Sequence, residues 1–555
     1  MFTKTLKHSK KLTGYILLIA IALVLSSVMM FGHIFPLDSI FKGHKPYDPG
    51  IMVWNLYTVN EAVKTGAQLF HTNMIFYPNG TSLGNHTLGI GYFPLTFFVD
   101  MISGGSPLYP VYALNLCILC CFAGLFLFSY LTLTELGYKP LESAAPAIAF
   151  SFCNFLTLHS FALNLIGAFV LPLTAYLALR FYKTKSFGYG LALSFSLGGM
   201  IYFTEFSFFV FISSVLLLIV LLVFPAQRSL ILNFIRSIKM THIVFFGCVT
   251  LGIMFPYLFA WFSAESAKPL AIERVAYSAN FIDFVLPREH NHFFYAKLFG
   301  GIYSFLTNTL TTEESFIGYP LILFSVIALL VGDRSRIKTP CIMAFVFFVL
   351  SLGPKLKLLN GVTEIPMPYS LFESLPFFSQ FRTPVRLIVF GMFFLMIASA
   401  EGISVVVNKL RHKAGGLAGT IIICFFIFWT VAEVYPGTPS KEPVSQSIID
   451  LHNKVLGPVI NLPIVFRDGH ALLLQIFHRK PMATGDVSRF SQDTLTHFKT
   501  LKDMFAEMPD NLCSRLENYG YKTAIISQEL PESASQTVQK CNLQIIDIST
   551  KTFKN

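Results

Sequence analysis

Charge is what this sequence has least of. Only 13% of its 555 residues are Asp, Glu, Lys or Arg, about half the roughly 25% found in soluble domains. So few solvated side chains exclude a soluble enzyme, a DNA-binding protein and a disordered scaffold. Cysteine is scarce too: nine residues, widely scattered, make no disulfide framework. Seven of them (Cys117, Cys120, Cys121, Cys153, Cys248, Cys341 and Cys424) lie in apolar runs, where Cys behaves as a small hydrophobe. Cys513 and Cys541 lie in polar sequence, free as thiols or paired if that segment is extracytoplasmic. The chain also lacks a Walker lysine motif, a G-x-G-x-x-G loop, zinc-spaced cysteines and a defensible Ser-His-Asp signature.

What fills the chain instead is apolar: 54% hydrophobic residues, 59 of them Phe, with a mean hydropathy of +0.61. Runs of about 20 apolar residues recur, the length at which a helix crosses the hydrocarbon slab. They lie at Leu12 to about Phe31 and near 88–102, 109–133, 143–158, 162–182, 188–204, 207–224, 242–262, 316–332, 339–353, 384–407 and 415–435. The first follows a basic segment but lacks an A-x-A cleavage site and exceeds a signal h-region, so it reads as an uncleaved helix. The run at 88–102, short and broken by Pro94 and Asp100, reads as re-entrant or interfacial.

The formal charge of +11 points to no nucleic acid, because of where the charge sits. Lys4, Lys7, Lys10 and Lys11; Arg180, Lys183 and Lys185; Arg228, Arg236 and Lys239; Arg334, Arg336 and Lys338; and Lys409, Arg411 and Lys413 occupy five short segments with one acid, Asp333. That is the positive-inside pattern, which makes these segments cytoplasmic. The polar stretches 34–87, 263–315 and 354–383 and the tail then share the outer face. The expected architecture is an all-α polytopic membrane domain over 1–435, with about 11–13 transmembrane helices. A small extracytoplasmic α/β domain follows over 436–555, its strands at Val459–Leu462, Thr523–Ser527 and Leu543–Ile548. An enzyme working on the outer face is remote from cytosolic nucleotide sugars, so an activated substrate arrives on a lipid.

Five groups of polar residues are candidates for chemistry. Asp48 precedes Pro49 at the start of a helical pattern in which Met52, Leu56, Val59 and Val63 form one apolar stripe, with Trp54 and Tyr57 suited to headgroups. This predicts a helix over 49–64 along the membrane surface. Asp48 is then a helix cap, a carboxylate base or metal ligand, or both. Arg382 and Arg386 flank Pro384 at the outer end of a long apolar run, placed for a lipid phosphate or for headgroup snorkelling. Asp283, Arg288, Glu289, His290 and His292 cluster in the second outer stretch as a solvated loop or a metal or substrate site. Glu205 lies near membrane depth, where an ionisable residue is a functional candidate by default. His159 and Asn164 occupy an outer turn, able to touch substrate hydroxyls or simply to pack.

Together the segments resemble the GT-C superfamily of polytopic glycosyltransferases, and in particular bacterial members. The first outer loop carries Asp48, Trp54-Asn55-Leu56, Phe76-Tyr77-Pro78-Asn79-Gly80 and His86-Thr87. Leu158-His159 with Asn164-Leu165, Tyr277-Ser278-Ala279 with Leu286-Pro287, and Phe381-Arg382-Thr383-Pro384-Val385-Arg386 fit the same group. So do Asn461-Leu462-Pro463 and His478-Arg479-Lys480-Pro481 in the tail. The resemblance implies transfer of a hexosyl or pentosyl group from a polyprenyl-phosphate sugar to a glycan, lipid or protein acceptor of the cell envelope, at the inner membrane of a bacterium. Asp48 matches the position of base or metal ligand. Many GT-C enzymes carry an Asp-Asp or Glu-x-Asp pair where this chain has one Asp before Pro, which leaves a divalent cation (Mg or Mn) open. A transporter or flippase for a lipid-linked saccharide, and a polysaccharide polymerase or ligase, are the rival readings. Against the transporter stands the lack of an internal repeat.

Overall fold

The computed structural model describes residues 2–42, 48–264, 271–287, 315–359, 361–373, 381–507, 511–528 and 530–548. Each apolar run becomes helical, since a helix satisfies its own backbone where lipid cannot. Six helices are long and apolar enough to span: Leu12–Met29, Tyr109–Glu135, Leu163–Thr184, Met240–Ser263, Pro384–Lys413 and Gly415–Val434. Ser207–Val223 with Gln227–Ser237, bent by 116°, makes a seventh if the pair is one span. Ile90–Ile102, Phe187–Tyr202 and Tyr319–Val331 are shorter apolar helices. By length and composition six or seven helices among the described residues reach spanning length, with the shorter apolar helices beside them, where the expected 11–13 counted every apolar run. Proline and charge shorten some of those runs. The run at 143–158 splits into Pro140–Ser151 and Asn154–Leu158, and Arg334–Ser351 spends its first turns on Arg334, Arg336 and Lys338.

Pro384–Lys413 is the most buried of the spanning helices. It packs against Pro140–Ser151, Tyr319–Val331 and Arg334–Ser351, and the rings of Phe347, Phe390, Phe393, Phe394 and Phe150 interlock there. Gly415, at φ 84° and ψ 169°, breaks it from Gly415–Val434, a conformation that a side chain would strain. Leu12–Met29 and Met240–Ser263 instead leave Ile16, Val24, Phe255, Phe259 and Phe262 exposed, as faces turned to lipid require.

The polar stretch 34–87 is built, not loose. Asp48–Thr65 is an eighteen-residue helix, and His71–Thr72 pairs with Thr81–Ser82 across a turn in which Gly80 has φ 70°. The expectation of a surface helix is corrected: twelve of its residues are buried, while Val63 of the apolar stripe is exposed. Its covering partners are Tyr109–Glu135 and Gly469–His478. Trp54 is fully buried and donates through Nε1 to Oε1 of Gln475 rather than lying among headgroups.

In the tail, Val459–Leu462, Thr523–Ile526 and Gln544–Asp547 form a parallel three-stranded sheet with Thr523–Ile526 central. Gln492–Glu507, Leu512–Asn518 and Glu532–Gln539 are the helices around it, and Cys513 is bonded to Cys541. Ahead of the sheet, Lys441–Pro443 pairs antiparallel with Ser39–Phe41. Lys441 donates to the carbonyls of His33, Ile34 and Pro36 and to Oδ1 of Asn115, at 2.9–3.2 Å. The tail is therefore stitched to the first polar stretch at several points. The amide of Tyr77 donates to Met482 O (2.9 Å), that of Met482 to Met74 O (2.9 Å), and the Tyr521 hydroxyl to Tyr77 O (3.0 Å).

Candidate functional site

A cavity of about 420 Å³ opens where these parts meet. Asp48, at the head of its helix, lines it from the first polar stretch. His159 lines it from the end of Asn154–Leu158, Asn164 from the short helix Leu163–Ile166, and Glu205 from the link between Met200–Tyr202 and Ser207–Val223. Arg382 and Arg386 come from the segment leading into Pro384–Lys413. Residues from five separate segments thus converge on one space. Asp283 does not: it is buried within the short turn Phe281–Phe284, where Oδ2 accepts the Asn280 amide at 3.2 Å. Arg288 and His290 lie outside the described residues.

Within the cavity Arg386 is ion-paired with Glu205. Arg382 has no hydrogen-bond or ion-pair partner among the described residues, a cation facing the space. His159 is held in place by its own helix, Nδ1 at 2.8 Å from Phe155 O and its ring against Phe155. The Asn164 carbonyl accepts Thr204 Oγ1 at 2.7 Å, which fixes the loop carrying Glu205.

The wall opposite is made by the tail, and sequence reasoning missed it. Arg467, Asp486, Ser488 and Arg489 all line the cavity. Arg467 (φ 63°) donates to Oδ1 of Asp486 at 3.1 Å and lies over the Phe490 ring. Asp486 is buried, and burial pushes its carboxyl up to about 7, against the pull of Arg467 and helped by the nearby Asp48 charge. Its Oδ2 has no partner among the described residues. Asp468 caps Gly469–His478 by accepting the Ala471 amide at 2.9 Å, and burial raises it to about 6. Arg489 is drawn down to about 10, first by burial and then by the Arg382 guanidinium, with Glu205 pulling the other way. The available signal was positional: Arg467 follows the strand Val459–Leu462, and ligands of open parallel sheets gather beyond the carboxyl ends of strands.

His86 joins the two walls. The Ser488 amide donates to Nδ1 at 2.9 Å, so the ring proton sits on Nε2, which meets Oδ1 of Asn55 at 2.7 Å. Burial, and then the Arg467 charge, lowers His86 to about 3. It is a hydrogen-bonded strut between them.

Four arginines and four carboxylates (Asp48, Glu205, Glu273 and Asp486) line the space. Glu205 is paired with Arg386 and Asp486 with Arg467. Among the described residues no three His, Cys, Asp or Glu side chains cluster as a cation site. The arrangement suits a ligand carrying an anionic group beside hydroxyls, with Asp48 at hand as a proton acceptor.

No protein-family model matches the sequence, and no curated protein matches it. Among solved structures, the archaeal oligosaccharyltransferase AglB from Archaeoglobus fulgidus, in complex with an inhibitory peptide and a dolichol-phosphate, is similar. Its TM-score is 0.51 at 10% identity, over 97% of this chain and 69% of that one. ArnT from Cupriavidus metallidurans in the apo state matches at a TM-score of 0.46 and 12% identity, over 89% of each chain. That score is too low to carry weight. The likeness to AglB over nearly the whole chain is one of fold: a polytopic helical membrane body with a smaller mixed tail.

Proposed function

We propose that the chain is an integral membrane glycosyltransferase of the GT-C type. It transfers a sugar from a polyprenyl-phosphate donor to a cell-envelope acceptor at the outer face of the inner membrane. The observation that carries this reading is the convergence of Asp48, Arg382 and Arg386 on one cavity. Supporting it, the similar AglB was solved with a dolichol-phosphate.

In this mechanism the donor phosphate rests against Arg382, with Arg386 beside it. The acceptor hydroxyl oxygen attacks the anomeric carbon as the bond from that carbon to the phosphate oxygen breaks. The bond's electron pair leaves with the lipid phosphate, where the guanidinium groups meet the new charge through charge-assisted bonds. Asp48 takes the hydroxyl proton. One displacement inverts the anomeric centre.

The test is Asp48→Asn in purified protein, with transfer and thermal stability measured together. An amide caps a helix about as well as a carboxylate but cannot accept the proton. General-base catalysis contributes typically 10²–10⁴-fold. Stability near wild type with transfer down by about two orders of magnitude is expected. Normal transfer by the variant makes Asp48 a cap and removes the mechanism. A wild type that moves no sugar from any of a panel of polyprenyl-phosphate sugars favours the transporter or flippase.

A further inference from the structure

Arg489 does not sit in its cavity as a solvated surface arginine. It comes from the tail, yet the groups that feel its charge belong to the membrane body: Arg382, Arg386 and Glu205, with Arg467 of its own wall. Four guanidinium groups around a space of about 420 Å³ repel one another, and in a low-dielectric pocket that repulsion is poorly screened. Four carboxylates line the same space: Glu205 pairs with Arg386 and Asp486 with Arg467, while Arg489 donates to the Ser488 carbonyl at 3.1 Å. Arg382 has no such partner among the described residues.

The segment carrying Arg489 is also fixed, which a mere cover over the site does not require. Ser488 is clamped to His86 through both its amide and its hydroxyl (2.9 and 3.0 Å), and its hydroxyl is 3.1 Å from that of Thr87. Gly485 accepts the Asp468 amide at 3.3 Å, and a Cβ there would meet Ile75 at 3.1 Å. The backbone on either side of Asp486 and Arg489 is thus held against the first polar stretch, so these charges are preorganised.

We propose that Arg489 of the tail and Arg382 of the membrane body together form a phosphate-binding site, completed only when the tail is docked. This rests on the functional reading above and deepens it. The tail becomes half of the donor-phosphate site, and Arg386, held by Glu205, becomes its flank. The shared ligand chemistry is a phosphate monoanion or dianion, carried by a polyprenyl lipid or free in solution.

Binding to the purified full chain in nanodiscs tests it, with polyprenyl phosphate, a polyprenyl-phosphate hexose, uncharged polyprenol and inorganic phosphate as probes. Wild type should prefer the two phosphate lipids over polyprenol. Arg382→Gln and Arg489→Gln should each weaken phosphate-lipid binding about tenfold, as expected for one charge-assisted bond. The double variant should fall short of the product of the two, because both bonds serve one phosphate. Arg489→Lys, which keeps the charge, should recover part of the loss, and Arg515→Gln, on an exposed tail position, should bind as wild type. Melting curves identify any variant that has lost its fold; Arg489→Lys then decides. If Arg489→Gln and Arg489→Lys bind phosphate lipid like wild type while Arg382→Gln is weakened, the inference falls and the functional reading stands. If no phosphate lipid is preferred over polyprenol, the functional reading falls. In that case Arg489-dependent binding of inorganic phosphate keeps the anion site, and its absence removes both.

Discussion

Asp486 shows what burial does to a single residue at this site. Its carboxyl, ordinarily near 3.8, is pushed up to about 7 by burial, with Asp48 adding to the push and Arg467 and Arg382 opposing it. The folded protein therefore holds this proton more tightly than the unfolded chain. Stability from Asp486 is fully present below about pH 4 and is lost as the pH rises through about 7. The melting temperature of wild type relative to Asp486→Asn should fall between those values and level off above them, a change on the order of a few kcal/mol at most. A difference that stays constant with pH would mean that Asp486 titrates as an ordinary surface carboxylate. Asp48, Glu205, Arg382 and Arg386 were legible in the sequence because each stands out against apolar or helix-opening surroundings. Arg467, Asp486 and Arg489 were not. They lie more than 400 residues from Asp48 in a tail of ordinary polarity, where one charge looks like any other until folding seats it against the membrane body.

Among the elements, the contact between Asp48–Thr65 and Gly469–His478 decides whether the two walls meet. Gln475 is its pin: it accepts from Trp54 Nε1 and donates to Met74 O, and both Gln475 and Trp54 are buried. Gln475→Ala leaves the indole N–H and that carbonyl without these partners. Each such group costs about 1–3 kcal/mol. The variant should unfold at lower denaturant, and Trp54→Phe added to Gln475→Ala should cost less than the sum of the two single changes. Strict additivity would show that the pair is not coupled. The helix itself was readable from the spacing of Met52, Leu56 and Val59, but its environment was not. A one-stripe pattern predicts one covered face. The other faces are covered through polar positions: Asn55 bonds His86 and Thr87 (2.7 and 3.0 Å), and Asn60 bonds Asp100 (2.8 Å). Hydropathy counts such asparagines as solvated.

At the scale of the molecule the question is which side of the membrane holds the cavity. Tyr109–Glu135 has 27 residues, about 40 Å at 1.5 Å per residue, and its two ends meet different neighbours. Near its start, Tyr109 bonds Glu61 (3.4 Å) and Asn115 bonds the carbonyls of Leu37 and Ser39 (2.8 and 3.0 Å). That end carries the first polar stretch and the tail. At its other end Glu135 pairs with Arg180 and Lys183 (3.3 and 3.2 Å), and Arg336 donates to Leu136 O (2.9 Å). Just beyond, Lys139 bonds Asn408 (3.0 Å) and Glu142 pairs with Arg411 (3.5 Å). Three of the five basic segments thus gather at one turn, at the far end of the helix from the cavity. If the positive-inside rule holds, that turn is cytoplasmic and the tail, with the bonded Cys513 and Cys541, faces an oxidising compartment. A reporter that requires export should be active when fused after Asn555 and inactive when placed beside Lys413, and a cytoplasmic reporter should show the reverse. The opposite result would put the cavity within reach of cytosolic nucleotide sugars, and the case for a lipid-borne donor would lose its reason.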